Sequence, residues 1–380
     1  MATLEQLTRL SMLNDCTMEA TKQSRWKETT QRYIADMLQK NVELRNDVLN
    51  GTYTVGPTID FLLIERGHLR KIEAPVVRDR VLQKSMMRNV LIPDIRPYLI
   101  YDNYASLKDR GTSFARKRFE VMLHRYMVNN GTDGHILLFD FEHFFENVDH
   151  GVLKRLLEPR LKNEPADVAS LVYYMVDTSS KTDKGLNLGG EPPQIFAVYY
   201  PTVLDIFIKV VLGIKYYGRY MDDGFIIAKS RKELLEILGK LERKMKELKL
   251  TINRKKTHII KLTRGFTFLQ VKYNITPTGK ILKRPTRKKI VRERRRLKAF
   301  KRMYDEGRMT IEEISNCYKS WRGTFIKEHN ACRKTLASMD VLFKSLFAVD
   351  IPKQKRSRNK LVRRANREAD TKDLKLLTVI

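Results

Sequence analysis

Two stretches of acid carry the chemistry available to this sequence. Arg219-Tyr220-Met221-Asp222-Asp223 stands between two apolar runs, Ile214 to Gly218 and Gly224 to Ala228. β-Branched and aromatic residues on both sides of a tight polar centre predict a hairpin with the acids at its tip. Adjacent carboxylates there repel one another and cost several kcal/mol if left bare. A divalent cation removes that cost, and Mg²⁺ is the ion that carboxylate oxygens suit best. Upstream, Ile136-Leu137-Leu138-Phe139-Asp140-Phe141 reads as a short strand with one acid, Asp140, near its end. Asp140, Asp222 and Asp223 suffice to hold two metal ions roughly 4 Å apart. In that arrangement one ion activates an attacking hydroxyl and the other neutralises a leaving diphosphate. The competing readings are an ordinary Asp-Asp turn and, for Asp140, a helix cap.

Elements that could position such a site follow from charge and pattern. The chain has 380 residues, 42% of them hydrophobic, enough for a sizeable core in two or three domains. Its net charge is +30. A surplus that large calls for a polyanion, with nucleic acid ahead of an acidic membrane surface. No apolar run reads as long enough to span a bilayer, and no basic-then-apolar leader is visible, so a cytoplasmic location is expected. Cys16, Cys317 and Cys332 form no Cys-x-x-Cys pair and are expected as reduced thiols.

Residues 1–50 show helical spacing, and 58–75 read as a β-hairpin turning at Glu65-Arg66-Gly67-His68. Residues 81–100 and 114–130 read as helices, the second of them basic. Helices over 151–180 end in a polar loop before Gly185, and a buried helix is expected from Ala197 to Lys209. Lys232 to Leu248 is strongly amphipathic. Leu250 to Ile259 reads as strand, basic turn, strand. From Lys283 to Arg302 cations crowd a helix whose inner face is Ile290, Val291, Leu297 and Phe300. Phosphate contacts of this kind supply affinity without sequence choice. The tail from Pro352 is basic and poor in apolar residues, and is expected to be flexible.

Tyr220-Met221-Asp222-Asp223 after the Asp140 strand resembles the palm of a reverse transcriptase. Further blocks follow in that family's order over roughly residues 20 to 345, and such an ordered set is far more specific than the tetrapeptide alone. The resemblance implies an α+β right-hand polymerase with a helical N-terminal segment and a helical, basic thumb. The implied divisions are an N-terminal helical extension (1–57), fingers (58–135), a palm (136–275) with a finger-like insertion at about 151–190, a thumb (276–350) and a flexible tail (351–380).

The same resemblance distributes roles. Asp140, Asp222 and Asp223, with Phe141 through its backbone, would hold two Mg²⁺ ions, Mn²⁺ being a substitute, and the Phe141 amide would also meet the incoming triphosphate. Arg70, with Lys71 beside it, belongs to a block like the fingers motif that clamps the incoming triphosphate; the alternative is a surface ion pair with Glu73 or Asp79. Phe145 would lie under the sugar and select dNTPs, or be core together with Phe144. Gln194 follows Leu188 and Gly189 in a block like that of diversity-generating retroelements, with Pro193 where the pattern has serine. Lys256 would donate a proton to the leaving diphosphate, or be a plain phosphate-facing lysine. Gly265 and Phe268 fit the hairpin that grips the primer. Arg110 would meet the template, or be a solvated loop residue. Arg287, Lys288 and Arg295 would lie along the template–primer duplex.

The function implied is RNA-directed DNA synthesis by a bacterial or phage retroelement enzyme, resembling diversity-generating and group II intron-like types. It would use an RNA template, a DNA or RNA primer and dNTPs, with a dedicated non-coding RNA and a small basic accessory protein as implied partners and no membrane. The alternatives are an antiphage-defence reverse transcriptase, a template-independent nucleotidyl transferase of the same fold, and a catalytically silent RNA-binding scaffold.

Overall fold

A computed structural model describes residues 2–65 and 68–350. The expected tail and the Arg66-Gly67 turn lie outside the described residues. The chain forms two units, Met1–Leu282 and Lys283–Ile380.

The first unit opens with four helices, Leu4–Leu7, Leu10–Thr21, Glu28–Ala35 and Met37–Leu49. Buried Asn41 ties the fourth to the second, its amide donating to Asn14 and to the Thr17 hydroxyl. Strands β1 (Ile59–Glu65) and β2 (His68–Ala74) then pair antiparallel, with Leu63 opposite Arg70. The hairpin is twisted out into solvent, so Leu62, Ile64 and Leu69 are more than half exposed.

A four-stranded antiparallel sheet forms the centre of this unit. Its strands are β3 (His135–Phe139), β4 (Tyr217–Tyr220), β5 (Asp223–Ala228) and β6 (His258–Lys261), in the order β4-β5-β3-β6. Short, nearly continuous apolar runs make β3 and β5, and the helices Val77–Met86 and Arg231–Met245 bury apolar residues in the same core. Gly224 stands opposite Phe139, whose ring covers it so closely that a Cβ would sit 2.2 Å from the ring. Only glycine lets β3 and β5 approach at the end that carries the acids.

The stretch Glu191–Val211 is long and apolar enough to cross a bilayer by length and composition, which corrects the sequence reading. Its side chains from Ile195 to Tyr200, and Leu204, are instead buried in the fold. The expected single helix here is interrupted at Tyr200-Pro201, where Pro201 cannot continue the hydrogen-bond ladder.

A second apolar cluster joins the helix Thr112–Asn130 to the hairpin of β7 (Phe266–Phe268) and β8 (Val271–Ile275). Strand β9 (Ile281–Pro285) follows. The second unit packs helices Arg287–Asp305, Ile311–Glu328 and Arg333–Phe347 around Leu297, Ile314, Tyr318, Met339 and Phe343.

Candidate active site

Asp140 follows β3 directly and is 5% exposed. Its backbone is fixed by the segment after the helix Arg231–Met245. The Asn253 N–H donates to the Asp140 carbonyl at 2.8 Å, and the Glu142 N–H donates to Thr251 at 2.9 Å. Phe141 and Ile252 face each other in that bridge. In this pairing the bridged residues' own N–H and C=O point away from each other, towards the opposite edges. The Asn253 side chain accepts from the N–H groups of Lys255 and Lys256, an Asx turn that aims the next lysine. Lys256 Nζ donates to both oxygens of Asp140, at 3.1 and 2.9 Å.

Asp222 and Asp223 arrive from the other side. Tyr220 pairs with Asp223, so Met221 and Asp222 form the two-residue turn of the β4–β5 hairpin. Met221 has φ +53°, a left-handed conformation that costs a non-glycine residue about 1–2 kcal/mol. Phe139 opposes Gly224 in the last pair of that register, so Asp140 leaves β3 at the end of the sheet where β5 begins.

Arg219 holds this turn. Its side chain is fully buried, as is that of Asp205 from the helix Thr202–Ile206. The guanidinium donates to Asp205 Oδ1 at 2.8 Å and Oδ2 at 2.6 Å, to the Val198 carbonyl at 3.0 Å and to the Met221 carbonyl at 2.8 Å. Tyr217 also donates to Asp205. The backbone of Arg219 is held from outside β4 by the Asp102 carbonyl and the Tyr104 N–H. Every polar atom that this buried pair brings with it therefore meets a partner close to the acid tip.

The electrostatics join these parts. Burial pushes the Asp222 carboxyl above its ordinary range, the Asp140 carboxylate pushes it further, and Lys256 and Arg70 pull it back. Burial opposes the charge on Lys256, yet its hydrogen bond to Asp140 and the charges of Asp140, Asp222 and Asp223 hold its ammonium above the usual lysine value. Three acids from two remote stretches thus act on one lysine.

Among the described residues, no three His, Cys, Asp or Glu side chains are close enough to cage an ion. Of the expected ligands, Asp140 and Asp222 interact, Asp223 is exposed next to Asp222 in the hairpin, Lys256 lies across Asp140, and Phe141 is buried in its bridge to Ile252. The donor set fits a divalent cation all the same. It is two mutually repelling carboxylates, and these are oxygen ligands.

The other expected site residues divide into two groups. Arg70 is exposed on β2 and acts electrostatically on Asp222. Its strand neighbour Lys71 belongs to the opposite face and pairs with Asp60 at 3.0 Å and Glu73 at 2.6 Å, the ion-pair alternative. Phe144 is core, packed on Phe141, while Phe145 is half-buried against Phe144. Gln194 is exposed on the helix Glu191–Tyr199 and accepts from the Ser106 hydroxyl at 3.4 Å.

Arg110 is half-buried, its guanidinium stacked on Tyr101 and Phe114 and donating to the Tyr101 carbonyl. One expectation is corrected. Phe268 is 4% exposed and packs its ring on Phe119 and Phe225, so any grip by this hairpin must use other atoms. Gly265 has φ +76°, and a Cβ there would sit 2.3 Å from the Asn274 amide, which explains the glycine structurally.

In the second unit, Arg287, Lys288 and Arg295 are exposed on one helix face with Arg292, Arg294, Lys298 and Arg302. The helix's interior acid, Glu293, points inward beside Leu297.

Sequence reasoning missed the Arg219–Asp205 pair and Asn253. The signal for the pair was present: one cation inside an apolar strand and one acid inside the apolar run Val203-Leu204-Asp205-Ile206.

A family model described as reverse transcriptase (RNA-dependent DNA polymerase) matches residues 62–273, more than half of the chain. No curated protein matches it. Among solved structures, apo telomerase from Candida tropicalis, truncated from its C-terminal domain, is 14% identical with a TM-score of 0.46; 64% of this chain and 59% of that one are covered. Telomerase from Candida albicans in complex with a TWJ fragment of telomeric RNA is 12% identical with a TM-score of 0.48, covering 78% of this chain and 56% of that one. This chain therefore spans less than two thirds of either telomerase chain.

Proposed function

Since the chain belongs to the reverse transcriptases, the RNA-dependent DNA polymerases, we propose that it copies an RNA template into cDNA as a retroelement enzyme of bacterial or phage type. The observation that supports this reading is that, within the matched region, Lys256 bonds both oxygens of Asp140 at the end of β3, next to the β4–β5 turn that carries Asp222 and Asp223.

In this reading Asp140, Asp222 and Asp223, with the Phe141 carbonyl, would hold Mg²⁺. Bound there, divalent metal supplies activation of a primer 3′-hydroxyl and neutralisation of the triphosphate. The chain's own side chains do the rest. Arg70 binds triphosphate oxygens from β2. Lys256 carries a proton at Nζ within reach of the acids and gives it to the departing diphosphate. Phe145 lies under the sugar and excludes a 2′-hydroxyl. Gln194 faces the base, backed by Ser106. The cationic face of Arg287–Asp305 holds phosphates of the template–primer duplex. Fingers, palm and thumb then follow the divisions 58–135, 136–275 and 276–350.

Diversity generation, with a dedicated non-coding RNA and a small basic accessory protein, is the retroelement role we favour. It is supported by Leu188, Gly189 and Gln194. The Leu188 carbonyl accepts from the Glu73 N–H at 2.7 Å, and a Cβ on Gly189 would sit 2.6 Å from the Glu73 carbonyl. That close approach ties the block to the strand that carries Arg70.

The test is dNTP incorporation with and without a poly(rA)/oligo(dT) template-primer. Template-dependent synthesis supports the reading. Incorporation without template would replace it with a nucleotidyl transferase, and none in either case with an RNA-binding scaffold.

A further inference from the structure

The turn between helices Leu10–Thr21 and Glu28–Ala35 reads Lys22-Gln23-Ser24-Arg25-Trp26-Lys27. Trp26 is 76% exposed, the most exposed of the large apolar side chains among the described residues. Lys22, Arg25 and Lys27 are exposed around it, with Lys27 Nζ 5.5 Å from the ring centre. The acids that flank the turn are already engaged, Glu19 by Arg88 and Glu28 by Arg32. The positive field of the turn is therefore not cancelled locally.

The turn is also built to stay in place. Ser24 N–H donates to the Thr21 carbonyl at 2.8 Å, and Lys27 N–H to the Ser24 carbonyl at 3.0 Å. Arg80, from the helix Val77–Met86, donates to the Ala20 carbonyl and the Ser24 hydroxyl from below. Thr21 and Thr30 are buried at either end. Inward groups fix the loop, and the aromatic ring and three cations are left facing out.

We propose that this turn is a landing site for single-stranded polynucleotide, one base stacking on Trp26 and the adjoining phosphates meeting Lys22, Arg25 and Lys27. A flat aromatic face among cations matches how single strands are bound without sequence choice. A duplex offers phosphates but no open base face. A protein interface would want a contiguous apolar centre with few lysines, whereas the exposed Met18 beside this turn has the Arg25 guanidinium 4.0 Å from its sulfur. A membrane anchor would need a broad apolar helix face. The turn lies outside residues 62–273, the matched polymerase region, and its binding requires neither metal nor nucleotide.

The sequence holds two tryptophans, so a Trp26→Phe chain isolates the fluorescence of Trp26 by difference. The full chain is titrated with short oligo(rU) and oligo(dT) in the absence of dNTP and metal. Quenching of the Trp26 signal by either supports the site, and the tighter of the two identifies the strand it takes. Trp26→Phe keeps the affinity and loses the signal; Trp26→Ala weakens binding about tenfold, about 1.4 kcal/mol. Changing Lys22, Arg25 and Lys27 to Gln lowers the slope of log affinity against log salt by roughly 2. Melting temperatures check that each exposed-turn variant is folded. An unchanged Trp26 signal at saturating oligonucleotide overturns the proposal, as does a Trp26→Ala chain of wild-type affinity. An equal response to a polyglutamate peptide also overturns it, in favour of an acidic protein segment. Because no synthesis is measured, failure here is distinct from failure of the polymerase reading.

Discussion

Replacing Asp205 with alanine strands the Arg219 guanidinium in the interior without a counter-charge. Both side chains are fully buried and share two charge-assisted hydrogen bonds. Removing one member of such a pair costs about 3–5 kcal/mol, a large part of the stability of a folded chain. Asp205→Leu with Arg219→Met replaces both charges by apolar volume and recovers most of that loss. The pair of variants therefore separates folding from positioning. In the double variant the Met221 carbonyl has lost its Arg219 donor. Nothing then offsets the roughly 1–2 kcal/mol of left-handed strain at Met221, and the aligned turn becomes rarer by about 5- to 30-fold. Urea unfolding measures the first effect, and the single-turnover rate of dNTP incorporation on poly(rA)/oligo(dT) measures the second. A double variant that regains stability and still incorporates at the wild-type rate would refute the claim that Arg219 positions the acids. A single Asp205→Ala variant of unchanged stability would refute the burial argument itself.

Lys256→Ala removes the donor that meets both Asp140 oxygens; incorporation falls about 10²-fold with KM for dNTP little changed, as steady-state kinetics will show. Changing Arg287, Lys288 and Arg295 to Gln lowers the salt slope of template–primer duplex binding by about 2.7, read by fluorescence anisotropy across a salt series. Asp94 yields a pH test. Its carboxyl is pushed up to about 6 by burial and then by Glu164. Between the unfolded value near 4 and that raised value the native chain binds the proton more tightly, so stability falls as pH rises through this window. Asp94→Asn therefore stabilises by about 1 kcal/mol above pH 7, after solvent screening of a partly exposed group, and by nothing near pH 3. Thermal melts at the two pH values check it.

The palm sheet was legible in the sequence because its strands are short apolar runs broken by single acids. β-Branched and aromatic residues on both sides of the polar centre at Asp222-Asp223 placed the β4–β5 hairpin. Helical spacing in the same way exposed the amphipathic helix Arg231–Met245 and the basic face of Arg287–Asp305. What stayed hidden depends on which remote surfaces meet. Arg110 looks like a free loop cation until Tyr101 and Phe114 close on it. Phe268 looks like a ring available to a ligand until the helix Thr112–Asn130 brings Phe119 against it. Arg219 and Asp205 each look like misplaced charges, and only the packing of helix Thr202–Ile206 beneath β4 shows that they answer one another. The apolar stretch Glu191–Val211 illustrates the converse: its composition suits a bilayer, and its burial comes from the fold around it.

The central claim is that Asp140, Asp222 and Asp223, drawn from two distant stretches of chain, form one metal-dependent centre for DNA synthesis. Single-nucleotide incorporation on poly(rA)/oligo(dT) by Asp140→Asn and by Asp222→Ala/Asp223→Ala, each confirmed as folded, measures it directly. Loss of activity by about 10³-fold or more in both variants, not restored by excess Mg²⁺ or Mn²⁺, is the predicted result. Synthesis near the wild-type rate in either variant would contradict it.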